Sequence, residues 1–442
     1  MGFILIIYFF ALVLIAWQSA AQVKSVSDFF VARKGGSVLM ITGSLVATIL
    51  GGSAVIGAID AGPRLGGAST WFLLTGAIGL LALLPFLPRI CKLGRFTLPD
   101  LMEDLYGKGP RTVASIIIPV AWTGVVAAQI IASGKILQSF TGMNYMAGAI
   151  VSGVIFIGYT LAGGQFSVLR TDFLQAALII LGIVLLTVFA YLHPITYMGI
   201  PAPAFPFNEN FSVLDLVLLL LTYATAYTAG PDMYSRLFCA KDEKTAQRSV
   251  VIAAMILSLV AACIGFLSSY GAALNFTSGA RIIEIGRVVL PHFLLPVLGL
   301  CLLSVVLSSA DTTLLSSSII ITRLCTLSPV SDVVEIRRTR LVILLNGIVA
   351  LVIAINFTDI IGMMLLALAV YAGAFTLPIL LGLAGMKVKT PFISAAIILG
   401  GVLALLGKLI PPSMGAHTGD VFLVLAFIVN GALMLLGRIK IE

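Results

Sequence analysis

Charge is scarce in this sequence: Lys, Arg, Asp and Glu make up 10% of its 442 residues, against about a quarter in soluble domains. A chain so poor in charge cannot cover a water-facing surface, which excludes the ordinary soluble classes. Histidine is rarer still. His193, His292 and His417 are too dispersed for a catalytic triad or a metal cluster. No G-x-x-x-x-G-K-[ST] loop is present, so ATP is not the energy source and any work must be driven by gradients. The five cysteines, Cys91, Cys239, Cys263, Cys301 and Cys325, have no C-x-x-C spacing and lie in apolar segments or at their edges, which argues against a disulfide scaffold or a zinc site. No enzyme signature competes. Polar stretches are short as well: 93–111, 195–211 and 232–248 are the longest, and none is a soluble domain.

What the sequence has instead is apolar length. With 60% hydrophobic residues, 43 glycines and a mean hydropathy of +1.15, it reads as an all-α polytopic membrane protein. Windows of about 20 residues place about 13 spans, near 2–20, 37–60, 69–92, 112–140, 144–162, 173–193, 212–231, 249–273, 291–322, 340–356, 360–385, 391–411 and 419–437. Ser19-Ala20-Ala21 resembles a signal cleavage site. The first span nevertheless has no basic leader and a long apolar stretch, so it reads as a retained helix.

The net charge of +8 follows topology rather than a nucleic-acid partner. With the N-terminus outside, only Arg64, Arg281, Arg287, Lys408 and the snorkelling Lys135 of the 26 basic residues fall away from cytoplasmic loops. The expected setting is the plasma (inner) membrane, multi-pass and in contact with lipid, with a cytoplasmic C-terminus.

Two spans carry helix-breaking chemistry at matching positions. Gly43, Gly51-Gly52, Gly57 and Gly62-Pro63 interrupt the second, and Ala229-Gly230-Pro231 the seventh. Paired breaks point to an inverted-repeat transporter with discontinuous helices at its substrate site. The expected layout is a single transporter domain: an extra N-terminal helix and loop at 1–36, repeats at 37–193 and 212–385, and two further helices at 390–442. The ninth span then places Ser308-Ser309-Ala310-Asp311-Thr312-Thr313 and Ser316-Ser317-Ser318 at bilayer depth. An Asp at a helix centre costs about 2.5–3.5 kcal/mol on insertion, so such groups face a cavity, a partner or an ion. Serines in membrane helices also bond back to carbonyls one turn earlier, a reading left open here and the one preferred for Ser316 to Ser318.

Several motifs taken in order resemble the sodium:solute symporter family. They are Asp28-Phe29-Phe30-Val31-Ala32-Arg33, Thr97-Leu98-Pro99-Asp100-Leu101 with Tyr106-Gly107, and Gly163-Gly164 with Thr171-Asp172-Phe173-Leu174-Gln175. They continue with Gly230-Pro231-Asp232, Arg236, Ala240-Lys241-Asp242-Glu243-Lys244-Thr245-Ala246 and Ser308-Ser309-Ala310-Asp311. The resemblance implies a LeuT-type core of five plus five helices in inverted repeat, with about 13 helices in all. It implies a sodium site made of the carbonyls of Ala47, Leu50 and Val305 and the hydroxyls of Ser308 and Ser309. A hard monovalent cation suits such an all-oxygen cage.

By the same resemblance Asp172 lies on the sodium exit route. With Asp311 and Thr312 it would form a second site for a cation or a proton. Pairing of Asp311 with Arg170 is the other reading.

Gly51, Gly52 and Ser53 at the first break offer backbone amides to an anionic group. Gln129, Tyr223, Thr225, Tyr227, Gly230 and Tyr371 are further substrate candidates, although the aromatics equally suit core packing. The expected function is sodium-coupled import of a small organic solute by alternating access, with an amino acid or monocarboxylate favoured. A proton-coupled transporter of the same fold and a transporter-like sensor module are the alternatives.

Overall fold

The computed structural model of the protein describes all residues except 1, 94–95, 194–203, 275–279, 327, 329, 358–359, 411–417 and 440–442. Arg95, His417, Lys440 and most of the 195–211 loop therefore lie outside the described residues. Each apolar run becomes a helix because, in a bilayer, only a helix satisfies every backbone group within its own segment. The ends are set by short polar caps. Ser25 with Asp28 and Thr97 with Asp100 form capping boxes, which accounts structurally for two of the motifs above.

The long helices are α1 Gly2–Ala20, α2 Val38–Ile49 and α3 Ser53–Asp60, followed by α4 Gly62–Leu93, α5 Lys108–Thr141, α6 Tyr145–Leu192, α7 Val213–Leu237 and α8 Glu243–Ala273. After these come α9 Leu295–Cys325, α10 Asp332–Asn356, α11 Ile360–Leu383, α12 Thr390–Leu409 and α13 Thr418–Leu436. Helices α2 and α3 meet at 55° and together form one broken span. Helix α6 is 48 residues long. At 1.5 Å per residue it would run to about 70 Å, far beyond a bilayer core of about 30 Å. It is two spans joined at Gly164, whose φ of 55° breaks the helix. A Cβ there would lie 2.7 Å from the Phe29 carbonyl oxygen, so the turn needs glycine on both counts. Counted this way, the described helices agree with the expected span number.

The layering explains how α9 can carry so many polar groups. In its most apolar window 89% of residues are buried, against 28% in α1. It is packed by α2, α5, α6 and α10 and is the central post of the molecule. Helix α1 lies against α6, while α12 and α13 pack on each other beside α11. Helices α4 and α7 touch through backbone: a Cβ on Gly79 would overlap the Ala224 carbonyl, and Thr228 Oγ1 donates to the Gly79 carbonyl at 2.8 Å.

One charged residue is not where hydropathy puts it. Arg236, expected in a loop, is fully buried. The Lys/Arg-rich end of the bundle is otherwise tied by ion pairs such as Arg323 to Asp100 at 3.3 Å and Arg111 to Glu103 at 2.8 Å.

Candidate functional site

The site begins at the gap between α2 and α3. Helix α2 stops at Ile49 and Leu50 caps it with ψ of 51°. Among the described residues the amides of Gly51 and Gly52 make no backbone hydrogen bond. The carbonyls of Ala47, Thr48 and Leu50 receive none from the backbone. Freed carbonyls of this kind are the partial negative charges that a cation can use. Gly51 lies close against α9: a Cβ there would fall 2.9 Å from Ser309 Oγ, so a side chain at this position would displace that hydroxyl.

Helix α9 answers those carbonyls with hydroxyls. Ser308 Oγ donates to the Ala47 carbonyl at 2.8 Å, with the Val305 carbonyl of its own helix at 3.3 Å. Ser309 Oγ reaches the Thr48 carbonyl at 3.2 Å and that of Val305 at 3.5 Å. The shorter bond in each case crosses between helices, so these two serines are not simply bonded back to their own turn. Ala47, Val305, Ser308 and Ser309 thus converge, with Leu50 closing the end of α2, and all are buried. The group is an uncharged all-oxygen set, suited to a monovalent cation. Among the described residues no group of three or more His, Cys, Asp or Glu side chains is placed to hold a transition metal.

One turn further along α9, Asp172, Asp311 and Thr312, the residues expected at a second site, lie around Arg236, which hydropathy places in a loop. Asp172 Oδ2 accepts from Arg236 Nη2 at 2.9 Å and from the Ser44 hydroxyl. The same guanidinium donates to Thr312, whose hydroxyl in turn donates to the Ser308 carbonyl at 2.9 Å. Asp311 Oδ1 lies 3.1 Å from Thr312 Oγ1, and its Oδ2 has no partner among the described residues. Asp172, Arg236 and Asp311 have no exposed surface. Arg170, the alternative partner for Asp311, points elsewhere, to Ser19 at 3.3 Å and Gln22 at 3.0 Å.

A cavity of about 60 Å³ opens beside the ion site. Of the substrate candidates, Gly51, Ser53, Gln129, Tyr227 and Gly230 line it, and a Cβ on Gly52 would come within 3.4 Å of Gln129 Oε1. Three others are placed differently. Tyr223 packs edge-on against Phe72 and lines a separate cleft with Arg64 and Lys408. Thr225 bonds back to the Leu221 carbonyl at 2.5 Å. Tyr371 is fully buried, donating to the Ala229 carbonyl beside Gly230, whose ψ of 135° interrupts α7, and standing against Trp122 with ring centroids 4.7 Å apart. It braces the wall from behind.

Trp122, Thr313, Met364 and Asp232, none of them a substrate candidate from the sequence, also line the cavity. Trp122 Nε1 lies 2.9 Å from both carboxylate oxygens of Asp232. Ser316, expected only to pack or bond back, does bond to Thr312 at 2.8 Å but also reaches Asp232 Oδ1 at 2.9 Å. Ser317 behaves as expected, bonding to Thr313 at 2.7 Å. One signal for Asp232 was available: an acid directly after Gly230-Pro231 sits on the first turn beyond a helix break. Nothing in the sequence pointed to Trp122 as its partner.

The sequence profile of the sodium:solute symporter family matches residues 29–202. The chain is 23% identical to the osmoregulated proline transporter OpuE of Bacillus subtilis, over 96% of this chain and 91% of that one. It is 24% identical to the human sodium/iodide cotransporter, over 63% of this chain and 45% of that protein. A solved structure of a sodium-coupled sialic acid symporter superposes with a TM-score of 0.80 at 17% identity, covering 99% of this chain and 98% of that one. The fold is therefore of the LeuT type, and the relatives are transporters, not enzymes.

Proposed function

We propose, from this likeness to sodium:solute symporters, that the chain imports a small organic solute together with sodium by alternating access, and that the solute is an amino acid or a monocarboxylate. The observation that carries the reading is the meeting of the Ser308 and Ser309 hydroxyls with the carbonyls of Ala47 and Thr48, which receive no backbone hydrogen bond at the broken helix. A sodium ion taken up among Ala47, Leu50, Val305, Ser308 and Ser309 ties α9 to the end of α2. In doing so it orders Gly51 and Gly52, whose amides make no backbone hydrogen bond and suit a carboxylate. Each ligand thereby favours the other, which is the thermodynamic content of symport.

With the N-terminus outside and the basic end cytoplasmic, in the plasma (inner) membrane, the membrane potential contributes about 2.3 kcal/mol per charge per 100 mV. That drives roughly fifty-fold accumulation for each sodium carried. Asp172, Asp311 and Thr312 supply a second position for a cation or a proton, and the unpartnered oxygen of Asp311 is the atom that would take it.

The test is thermal stability of the purified protein against panels of amino acids and monocarboxylates, with and without sodium, followed by uptake into proteoliposomes. Ligands that stabilise only in sodium support the reading. Uptake that persists without sodium and follows an imposed pH gradient would assign the coupling to protons at Asp172 or Asp311 instead.

A further inference from the structure

The carboxylate of Asp232 is the one charged group lining the central cavity among the described residues. The residue is half-buried rather than sealed off. Its partners are neutral: the Trp122 indole N–H at 2.9 Å from each oxygen, and Ser316, whose single proton is shared between Asp232 and the Thr312 carbonyl. The nearby guanidinium attracts it through charge but makes no hydrogen bond to its carboxylate. Arg236 spends Nη2 on Asp172 and Thr312, while its Nη1 contacts the Asp232 main-chain oxygen at 3.2 Å rather than the side chain.

A carboxylate at bilayer depth with only neutral donors is costly unless a cation joins it. The same cavity holds a second unmet acceptor. Gln129 is 1% exposed, its Nε2 rests on Met364 Sδ at 3.6 Å, and its Oε1 has no hydrogen-bond partner. Both groups call for donors.

We infer that Asp232 and Gln129 recognise the protonated amine of the transported solute, and that the substrate is an α-amino or α-imino acid rather than a plain monocarboxylate. This rests on the reading of the cavity as the solute site of a sodium symporter. The Gly51 and Gly52 amides take the carboxylate of the zwitterion, and Asp232 and Gln129 take the ammonium, with Trp122 holding the Asp232 carboxylate in place. Because Gln129 Oε1 needs an N–H, a primary or secondary ammonium fits and a quaternary one does not. A hydrophobic isostere lacking the amine leaves both acceptors unpaired and is rejected for that reason.

The experiment measures sodium-dependent stabilisation and uptake with L-proline and L-alanine, their deaminated counterparts cyclopentanecarboxylate and propionate, and trimethylglycine. Wild-type protein is expected to respond to the two amino acids at least tenfold more tightly than to the other three probes. Asp232→Asn is expected to weaken the amino acids by roughly thirty-fold or more while leaving the sodium-only melting shift in place. Gln129→Leu is a second variant that removes the other acceptor without touching the charge, and it should narrow the same preference.

Deaminated acids binding as tightly as the amino acids in wild type would overturn the inference while leaving sodium-coupled carboxylate transport intact. So would an unchanged preference in both variants, including the case in which Asp232→Asn alters only pH dependence. A protein that no solute stabilises in sodium would overturn the symport reading itself and this inference with it.

Discussion

Replacing Ser308 by Ala tests the ion site most directly, because the hydroxyl has two separable roles. It is one of five oxygens assigned to sodium, and it closes a buried hydrogen bond of 2.8 Å from α9 to the Ala47 carbonyl. Loss of that bond, with the buried Ala47 carbonyl left unsatisfied, costs about 1–3 kcal/mol of stability in the absence of sodium. Loss of a polar contact to a charged group costs about 1.5–3 kcal/mol, which converts to a rise of roughly tenfold to over a hundredfold in the sodium concentration for half-maximal effect. By linkage, the stabilisation gained on adding saturating sodium falls by the same 1.5–3 kcal/mol or so, provided sodium binds only the folded protein.

Melting curves of purified protein at stepped sodium concentrations measure both quantities, and uptake in proteoliposomes repeats the second. The Ser308→Ala, Ser309→Ala double variant is expected to lose sodium-dependent uptake while remaining folded. Ser317→Ala is the control, since that hydroxyl donates to the Thr313 carbonyl of its own helix and accepts from Asn346 of α10 at 2.9 Å, and is not among the ion-site oxygens. A double variant with the sodium response of the wild type refutes the site assignment, and an equal loss in the Ser317 control refutes its specificity.

Arg236→Gln leaves Asp172 and Asp311 buried without a counter-charge, so a loss of about 3–5 kcal/mol and poor yield are expected; adding Asp172→Asn should recover part of the melting temperature. Gly79→Ala places a methyl against the Ala224 carbonyl and forces α4 from α7, with lowered stability and lowered transport readable in the same melting and uptake assays. The Arg33 guanidinium, with help from the Lys24 and Ser25 amides, holds the Asp28 carboxyl well below the usual carboxylate range. A depressed folded-state value means that this contribution is complete above about pH 4 and is lost as pH falls further toward the folded value. Asp28→Asn should therefore lower the melting temperature near neutrality and flatten its decline in acid; an acid limb identical to that of the wild type would refute the role.

Much of this site is readable in the sequence, and the reason is that its main signals are local. A break in a helix is written in adjacent residues, so Gly51-Gly52 and Gly230-Pro231 announced themselves. Hydroxyls at bilayer depth stand out against their neighbours, so Ser308 and Ser309 did as well. Asp232 was half legible, as an acid following a break, but its role depends on Trp122 from 110 positions away. Tyr223, Thr225 and Tyr371 failed as cavity residues because a tyrosine or threonine on a membrane helix has the same local signature whether it faces a cavity, a neighbouring helix or its own backbone.

The sequence by itself determined the membrane class, the number of spans, the two breaks and the polar stripe of α9, since hydropathy and backbone chemistry act over a few turns of chain. Tertiary structure alone decided which faces meet. The rotation and crossing of packed helices sent Arg236 inward to Asp172, turned Ser316 toward Asp232 and left Gln129 with an unmet acceptor beside the ion site. Those choices depend on packing between segments far apart in sequence, and no local window contains them.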